Sequence, residues 1–227
     1  SRLTSNAAIK IPENITPRTA MAIGTAGFAA ALAIYKMGLN NQKPDLGPIA
    51  VTGATGGVGS IAIDMLSSLG YETVAITSKK DNEEYLKNIG ATSVRFFDEL
   101  DIGERPLERA SFGGAIDNLG GNILSWLLRS TVEEGNVASI GLALSYKLDT
   151  NVMPFILRGV NLLGVNSTTL PKTTKETVWR KISEEMMPRN IDSIVTKELT
   201  LRDLSGSFQQ YLDASVVGRV IVNIDGS

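Results

Sequence analysis

Residues 51–66 read VTGATGGVGSIAIDML, the end of an apolar strand, a glycine-rich turn and the first turns of an amphipathic helix. Just upstream, Pro48-Ile49-Ala50-Val51-Thr52 is a short apolar run of the kind that lies buried on both faces of a sheet. Downstream, Val58, Ile61, Ala62, Met65, Leu66 and Leu69 recur at helical spacing until Gly70 ends the stripe. The turn between them, Gly53-Ala54-Thr55-Gly56-Gly57-Val58-Gly59, suits one task. A dinucleotide pyrophosphate rests on the amides of a helix N-terminus only where the backbone turns sharply and no Cβ blocks the approach. Against the pattern G-x-G-x-x-G, Ala54 stands at the first glycine, and Gly56 and Gly59 at the second and third. The strand before and the helix after supply the context that separates this motif from a ligand-free tight turn.

Outward from this centre, strands and helices alternate. Residues 71–76 read as a second strand, and Asp81 with Glu84 forms a capping-box-like start for a helix closing at Gly90. A third strand begins near Thr92, a fourth covers Gly114 to Asp117, a fifth Val137 to Ile140 and a sixth Val160 to Val165. Strands joined through helices run parallel, so the chain is expected to form an α/β, doubly wound parallel sheet of Rossmann type. The tail adds helices around Val178 and around Phe208, then a terminal strand from Arg219. Ahead of the first strand, the uncharged run between Arg18 and Lys36 is rich in glycine and alanine and follows Thr16-Pro17, an N-cap and first-turn proline. It reads as a helix buried in protein, too short for a comfortable membrane span.

Cofactor selectivity is decided at the tip of the second strand. An acidic residue there would take the ribose 2′-hydroxyl of NAD; this chain offers Thr77-Ser78-Lys79-Lys80 instead. A hydroxyl and two ammonium groups suit a 2′-phosphate, through charge-assisted bonds of about 1.5–3 kcal/mol each, so NADPH is expected over NADH. Asp81 is read as a helix cap. Asp117-Asn118, Gly141-Leu142 and Asn166-Ser167 end later strands, where a turn is as good an explanation as a ligand contact.

Composition removes other classes. Among 227 residues there is no cysteine and no histidine, which leaves no thiolate, no imidazole base and no usual zinc ligand but carboxylate, and no metal site is expected. A net charge of −2 gives no general grip on nucleic acid or anionic lipid. Without a recognisable signal sequence, a cytoplasmic location is expected.

Several segments resemble the zinc-free branch of the medium-chain dehydrogenase/reductase superfamily, the acrylyl-CoA reductases and quinone oxidoreductases. They are AMAIGTAGFAAALAI (20–34), residues 51–66, EYLKNIGA (84–91), GAIDNLGG (114–121), VMPFILRGVNLLGVNS (152–167) and GRVIV (218–222). The resemblance implies NADPH-dependent hydride transfer to an activated double bond, as in an enoyl thioester, or to a quinone. By position it implies pyrophosphate contacts at Gly56, Gly57, Val58 and Gly59, 2′-phosphate contacts at Thr77, Ser78 and Lys79, and a nicotinamide lining at Leu142, Ile156 and Ser167. Two family contact positions depart: Ser93 replaces a basic residue, for which Arg95 is a candidate substitute, and Ala214 replaces an asparagine.

Members of that superfamily also carry a GroES-like substrate domain ahead of the buried helix. The implied division is 1–16 as a remnant or linker, 17–190 as the NADP-binding domain and 191–227 as a segment packing toward the absent domain. Such a fragment is expected to bind NADPH, to turn over little substrate alone and to self-associate through exposed apolar surface. No catalytic residue is assigned. A short-chain dehydrogenase would need a tyrosine with a lysine four residues on. Tyr35, Tyr71, Tyr85, Tyr146 and Tyr211 are followed there by Leu39, Ala75, Ile89, Thr150 and Ser215. A stand-alone NADPH sensor is the non-catalytic alternative.

Overall fold

In the computed structural model, residues 8–224 are described. The sheet is built from β1 (Ile49–Thr52), β2 (Thr73–Thr77), β3 (Ser93–Phe96), β4 (Phe112–Asp117), β5 (Thr131–Ser139) and β6 (Asn161–Gly164). All pairs are parallel, in the order β3-β2-β1-β4-β5-β6. The order reverses between β1 and β4, which pair from Ile49 against Gly114, and this reversal places the crevice at the carboxyl ends of those two strands. The expected doubly wound architecture is therefore present.

Strand alternation sends β1 residues to both faces. Ile49 and Val51 join a core formed by α1 (Pro17–Leu39), α2 (Gly57–Ser68) and α6 (Lys172–Glu184), where Ile23, Leu32, Ile61, Met65, Val178 and Ile182 are buried. Ala50 faces a second core under α4 (Gly121–Ser130), with Ile123, Leu127, Leu128 and an edge-to-face Phe112–Trp126 pair at 5.5 Å. The Thr16 hydroxyl caps α1 by accepting from the Thr19 amide at 3.1 Å. By length and composition α1 meets the criteria for a membrane span, with a mean hydropathy of 1.4, but 67% of that window is buried in the protein. Its small residues allow close packing: a Cβ on Gly27 would sit 3.2 Å from Ile61 Cδ1. At Gly24 the helix is broken by a φ of +51°.

Two sequence expectations need correction. The fifth strand starts at Thr131, before the expected Val137, because Glu133 and Glu134 interrupt its apolar pattern; Glu134 has a φ of +59° and the pairing with β4 shifts register there. The Asp81 capping box does not form. Lys80–Asn82 is a single 3-10 turn closed by the Asn82 amide on the Lys79 carbonyl at 3.1 Å, and α3 (Glu83–Asn88) begins after it without a side-chain cap.

Beyond α5 (Met153–Arg158) and α6, the chain forms α7 (Ile191–Ile194), β7 (Val195–Thr200), α8 (Phe208–Leu212) and β8 (Arg219–Asn223). β7 and β8 form a separate parallel pair. Arg18 on α1 joins Asp192 at 2.7 Å and also Glu198, tying this pair to the main body. Phe208, Tyr211 and Leu212 on α8 are exposed.

One glycine serves as a control for those of the site. Gly38 lies exposed near the end of α1, and an added Cβ there would meet nothing within 4 Å. Gly38→Ala is expected to stabilise the fold by about 0.5–1 kcal/mol, seen as a rise of about 1–4 °C in the thermal midpoint.

Candidate functional site

The glycine turn bends at Gly53 (φ +57°), and the Gly56 amide closes it on the Gly53 carbonyl at 2.9 Å. Gly56 caps α2, whose ladder starts with the Ser60 amide on the Gly56 carbonyl at 2.9 Å. The amides of Gly57, Val58 and Gly59 precede that ladder and form the positive end of the helix. Gly59 lies so close to the turn that a Cβ there would be 2.5 Å from the Gly53 oxygen and 2.7 Å from Ala54 Cα. Gly57 opens onto Arg219, whose Cδ and Nη1 would be 3.0 and 3.3 Å from a Cβ at that position.

The residues expected on the adenosine side adjoin this turn. Thr77 ends β2, with its hydroxyl 3.5 Å from that of Thr55 and accepting the Lys79 amide at 3.1 Å. Ser78 is exposed. The two lysines separate in role, which sequence did not resolve. Lys80 pairs with Asp98 at 2.8 Å and Glu99 at 3.2 Å, and these carboxylates hold its pKa up. Lys79 has no carboxylate partner among the described residues; its Nζ donates to the Val216 carbonyl at 2.7 Å, and burial draws its pKa down. Arg95, the candidate substitute for the base absent at Ser93, shares a face of β3 with that serine, and its guanidinium lies 5.4 Å from the Phe112 ring centroid on the α4 side of the sheet. Ala214 is exposed with a φ of +51°.

Across the reversal point, Asp117 is fully buried. It accepts the Thr52 hydroxyl and the Gly120 amide, both at 2.7 Å, yet burial outweighs these bonds and pushes its pKa up. It holds the turn together, the reading that competed with ligand contact. Asn118 donates to the Thr52 carbonyl at 2.7 Å, and its backbone carries the loop bearing Leu142 through the Ala143 amide at 3.3 Å. Leu142 and Ile156 are 66% and 71% exposed, so each offers an unburied apolar surface. Ser167 is half-buried after β6. Among the described residues no hydrogen bond links Ile156 or Ser167 to the glycine turn. Two clefts of about 540 and 490 Å³, one beside Trp179 and one beside Arg95, share no residue with this set.

Arg219 lies beside the glycine turn, a contact that sequence reading missed. Its Nε donates to the Ala22 carbonyl at 2.9 Å, its guanidinium lies against Gly24 and Gly57, and burial lowers its pKa. Among the described residues no carboxylate pairs with this half-buried cation beside the helix end. A basic residue directly behind a glycine at the head of the last strand was the available signal, but its 162-residue distance from Gly57 hid the contact.

Known proteins share this fold. The family described as zinc-binding dehydrogenase matches residues 57–184. Acrylyl-CoA reductase AcuI of Ruegeria pomeroyi is 38% identical over 96% of this chain and 66% of its own length. The chain thus spans about two thirds of that relative. A crystal structure of the yhdH oxidoreductase from Salmonella enterica in complex with NADP superposes with a TM-score of 0.93, at 35% identity over 99% of this chain and 68% of that one. The Bacillus subtilis protein yhfP with NAD bound gives 0.92, at 38% identity over 95% and 66%.

Proposed function

This chain belongs to the zinc-binding dehydrogenase family of the medium-chain dehydrogenase/reductase superfamily, and on that premise we propose that it is the NADPH-holding part of an oxidoreductase. The reaction is zinc-independent hydride transfer to an activated double bond, as in an enoyl thioester of the acryloyl-CoA kind, or to a quinone. The matched segment carries no cysteine or histidine, so the family description does not bring a thiolate- or imidazole-bound zinc with it. The observation that carries the proposal is the helix end itself: Gly57 and Gly59 present no Cβ, and a guanidinium with no carboxylate partner among the described residues packs on Gly57.

NADPH, when bound, supplies the hydride from its nicotinamide. The amides of Gly57, Val58 and Gly59, behind the turn at Gly56, hold the diphosphate, with Arg219 as its counter-ion. Thr77, Ser78 and Lys79 hold the 2′-phosphate. Leu142, Ile156 and Ser167 line the nicotinamide half, a role supported by family resemblance. In this reading residues 17–190 form the cofactor domain, 191–227 turn toward the remainder of the protein, and 1–16 lead into it; residues 1–7 and 225–227 lie outside the described residues. A cytoplasmic, homo-oligomeric enzyme completes the proposal, with self-association supported by the exposed Leu144 and Tyr146.

Calorimetric titration with NADPH and NADH tests it. Saturable binding with NADPH the tighter ligand is expected, and no heat from either at millimolar concentration overturns the proposal. Because the diphosphate is common to both dinucleotides, Arg219→Gln is expected to weaken each about tenfold or more, with their ratio preserved. A loss confined to NADPH would move Arg219 to the adenosine end.

A further inference from the structure

Residues 216–219 cross from α8 to β8 over the lip of the crevice, and each is pinned. The Val216 carbonyl accepts from Lys79 Nζ at 2.7 Å, and the Val217 carbonyl accepts from the Thr196 hydroxyl at 2.6 Å. The Gly218 amide donates to the Thr55 carbonyl of the glycine turn at 2.8 Å, and Arg219 Nε donates to Ala22. Gly218 is buried with a φ of +63°, and a Cβ there would run into the Ile194 carbonyl and come within 3.0 Å of the Tyr85 hydroxyl. The strap is thus seated by Lys79, Thr196, the glycine turn and α1.

That seating matters for Lys79. A free lysine stem loses much rotamer freedom when its head is fixed on a ligand. A neutral carbonyl takes one of the ammonium's three N–H groups and cancels none of its charge, so two donors stay available in a fixed place. Lys80 is directed away from that role, toward Asp98 at 2.8 Å and Glu99 at 3.2 Å.

We propose that the 216–218 strap is a specificity-determining element: the Val216 carbonyl holds the Lys79 ammonium at the 2′-phosphate position, and Thr196, through Val217, sets where that carbonyl lies. Preference for NADPH is then governed partly from the β7–β8 pair, more than a hundred residues from the strand tip that reads the cofactor. The inference rests on the cofactor reading above and goes beyond it by assigning Thr196 and Gly218 positioning roles.

Thr196 is exposed, so substitution there spares the core. Dissociation constants for NADPH and NADH, with thermal midpoints, are to be measured for Thr196→Val, Thr196→Ser and Gly218→Ala, the first also with Lys79→Met. Thr196→Val is expected to lower the NADPH-over-NADH preference about three- to tenfold with NADH binding nearly unchanged, whereas Thr196→Ser retains the preference. Combined with Lys79→Met, Thr196→Val should produce no further change in the ratio. Should Gly218→Ala fail to fold, the Thr196 series carries the test alone. A folded Thr196→Val with an unaltered ratio, or a ratio change that persists without Lys79, overturns the strap's role. Wild-type protein that binds neither dinucleotide, or binds both alike, removes the cofactor reading and this inference together.

Discussion

Lys79→Met is expected to weaken NADPH binding about ten- to hundredfold while NADH binding stays within about twofold of wild type. Of the two ammonium groups at the tip of β2, Lys80 is already engaged by Asp98 and Glu99, and Lys79 alone has no carboxylate partner among the described residues. A charge-assisted contact to a phosphate contributes about 1.5–3 kcal/mol, and each 1.4 kcal/mol is about tenfold in affinity, which sets the expected range. Methionine keeps most of the aliphatic stem, so packing around Thr77 should survive. Lys80→Met is the matched control: its ammonium is directed at Asp98 and Glu99, and because these exposed pairs contribute little to stability the fold should hold while NADPH affinity changes less than about threefold. Equal losses for NADPH and NADH in Lys79→Met would show that Lys79 anchors the Val216 strap and does not read the adenosine phosphate.

The contrast between these lysines marks what sequence can and cannot carry. The glycine turn was legible because every part of it is contiguous: strand, turn and helix stripe sit within residues 48–69, and local periodicity reports burial directly. Lys79 and Lys80 look equivalent in sequence, and only their partners at Val216 and at Asp98 and Glu99 distinguish them. Arg219 was read as the opening of a strand because its contact with Gly57 depends on how the last strand pair folds back over the crevice. The Asp81 signature failed for the opposite reason. It is a purely local pattern, and the backbone bond from Asn82 to Lys79 satisfied the turn without it. The early residues of β5 were hidden because Glu133 and Glu134 lie at a bulge, where the alternation that identifies a strand is suspended.

Gly59→Ala should remove both dinucleotides together, with binding at least about a hundredfold weaker or undetectable at millimolar concentration, and should destabilise the fold by about 1–3 kcal/mol. The added Cβ would lie 2.5 Å from the Gly53 oxygen, 2.7 Å from Ala54 Cα and 3.0 Å from the Ala54 carbonyl carbon. All three are backbone atoms, so no side chain can swing aside, and the first turn of α2 must withdraw from β1. That withdrawal is resisted by the same helix's buried Ile61, Ile63, Met65 and Leu66, so the strain concentrates at the amides of Gly57, Val58 and Gly59. Helix propensity works in the other direction, since alanine is favoured over glycine by up to about 1 kcal/mol, and a measured destabilisation therefore understates the steric cost. Gly38→Ala removes that ambiguity because it carries the propensity gain with no collision. If Gly59→Ala behaved like Gly38→Ala, gaining stability and binding NADPH and NADH as wild type does, close approach of helix to turn would not be what the site requires, and the diphosphate would have to be held elsewhere.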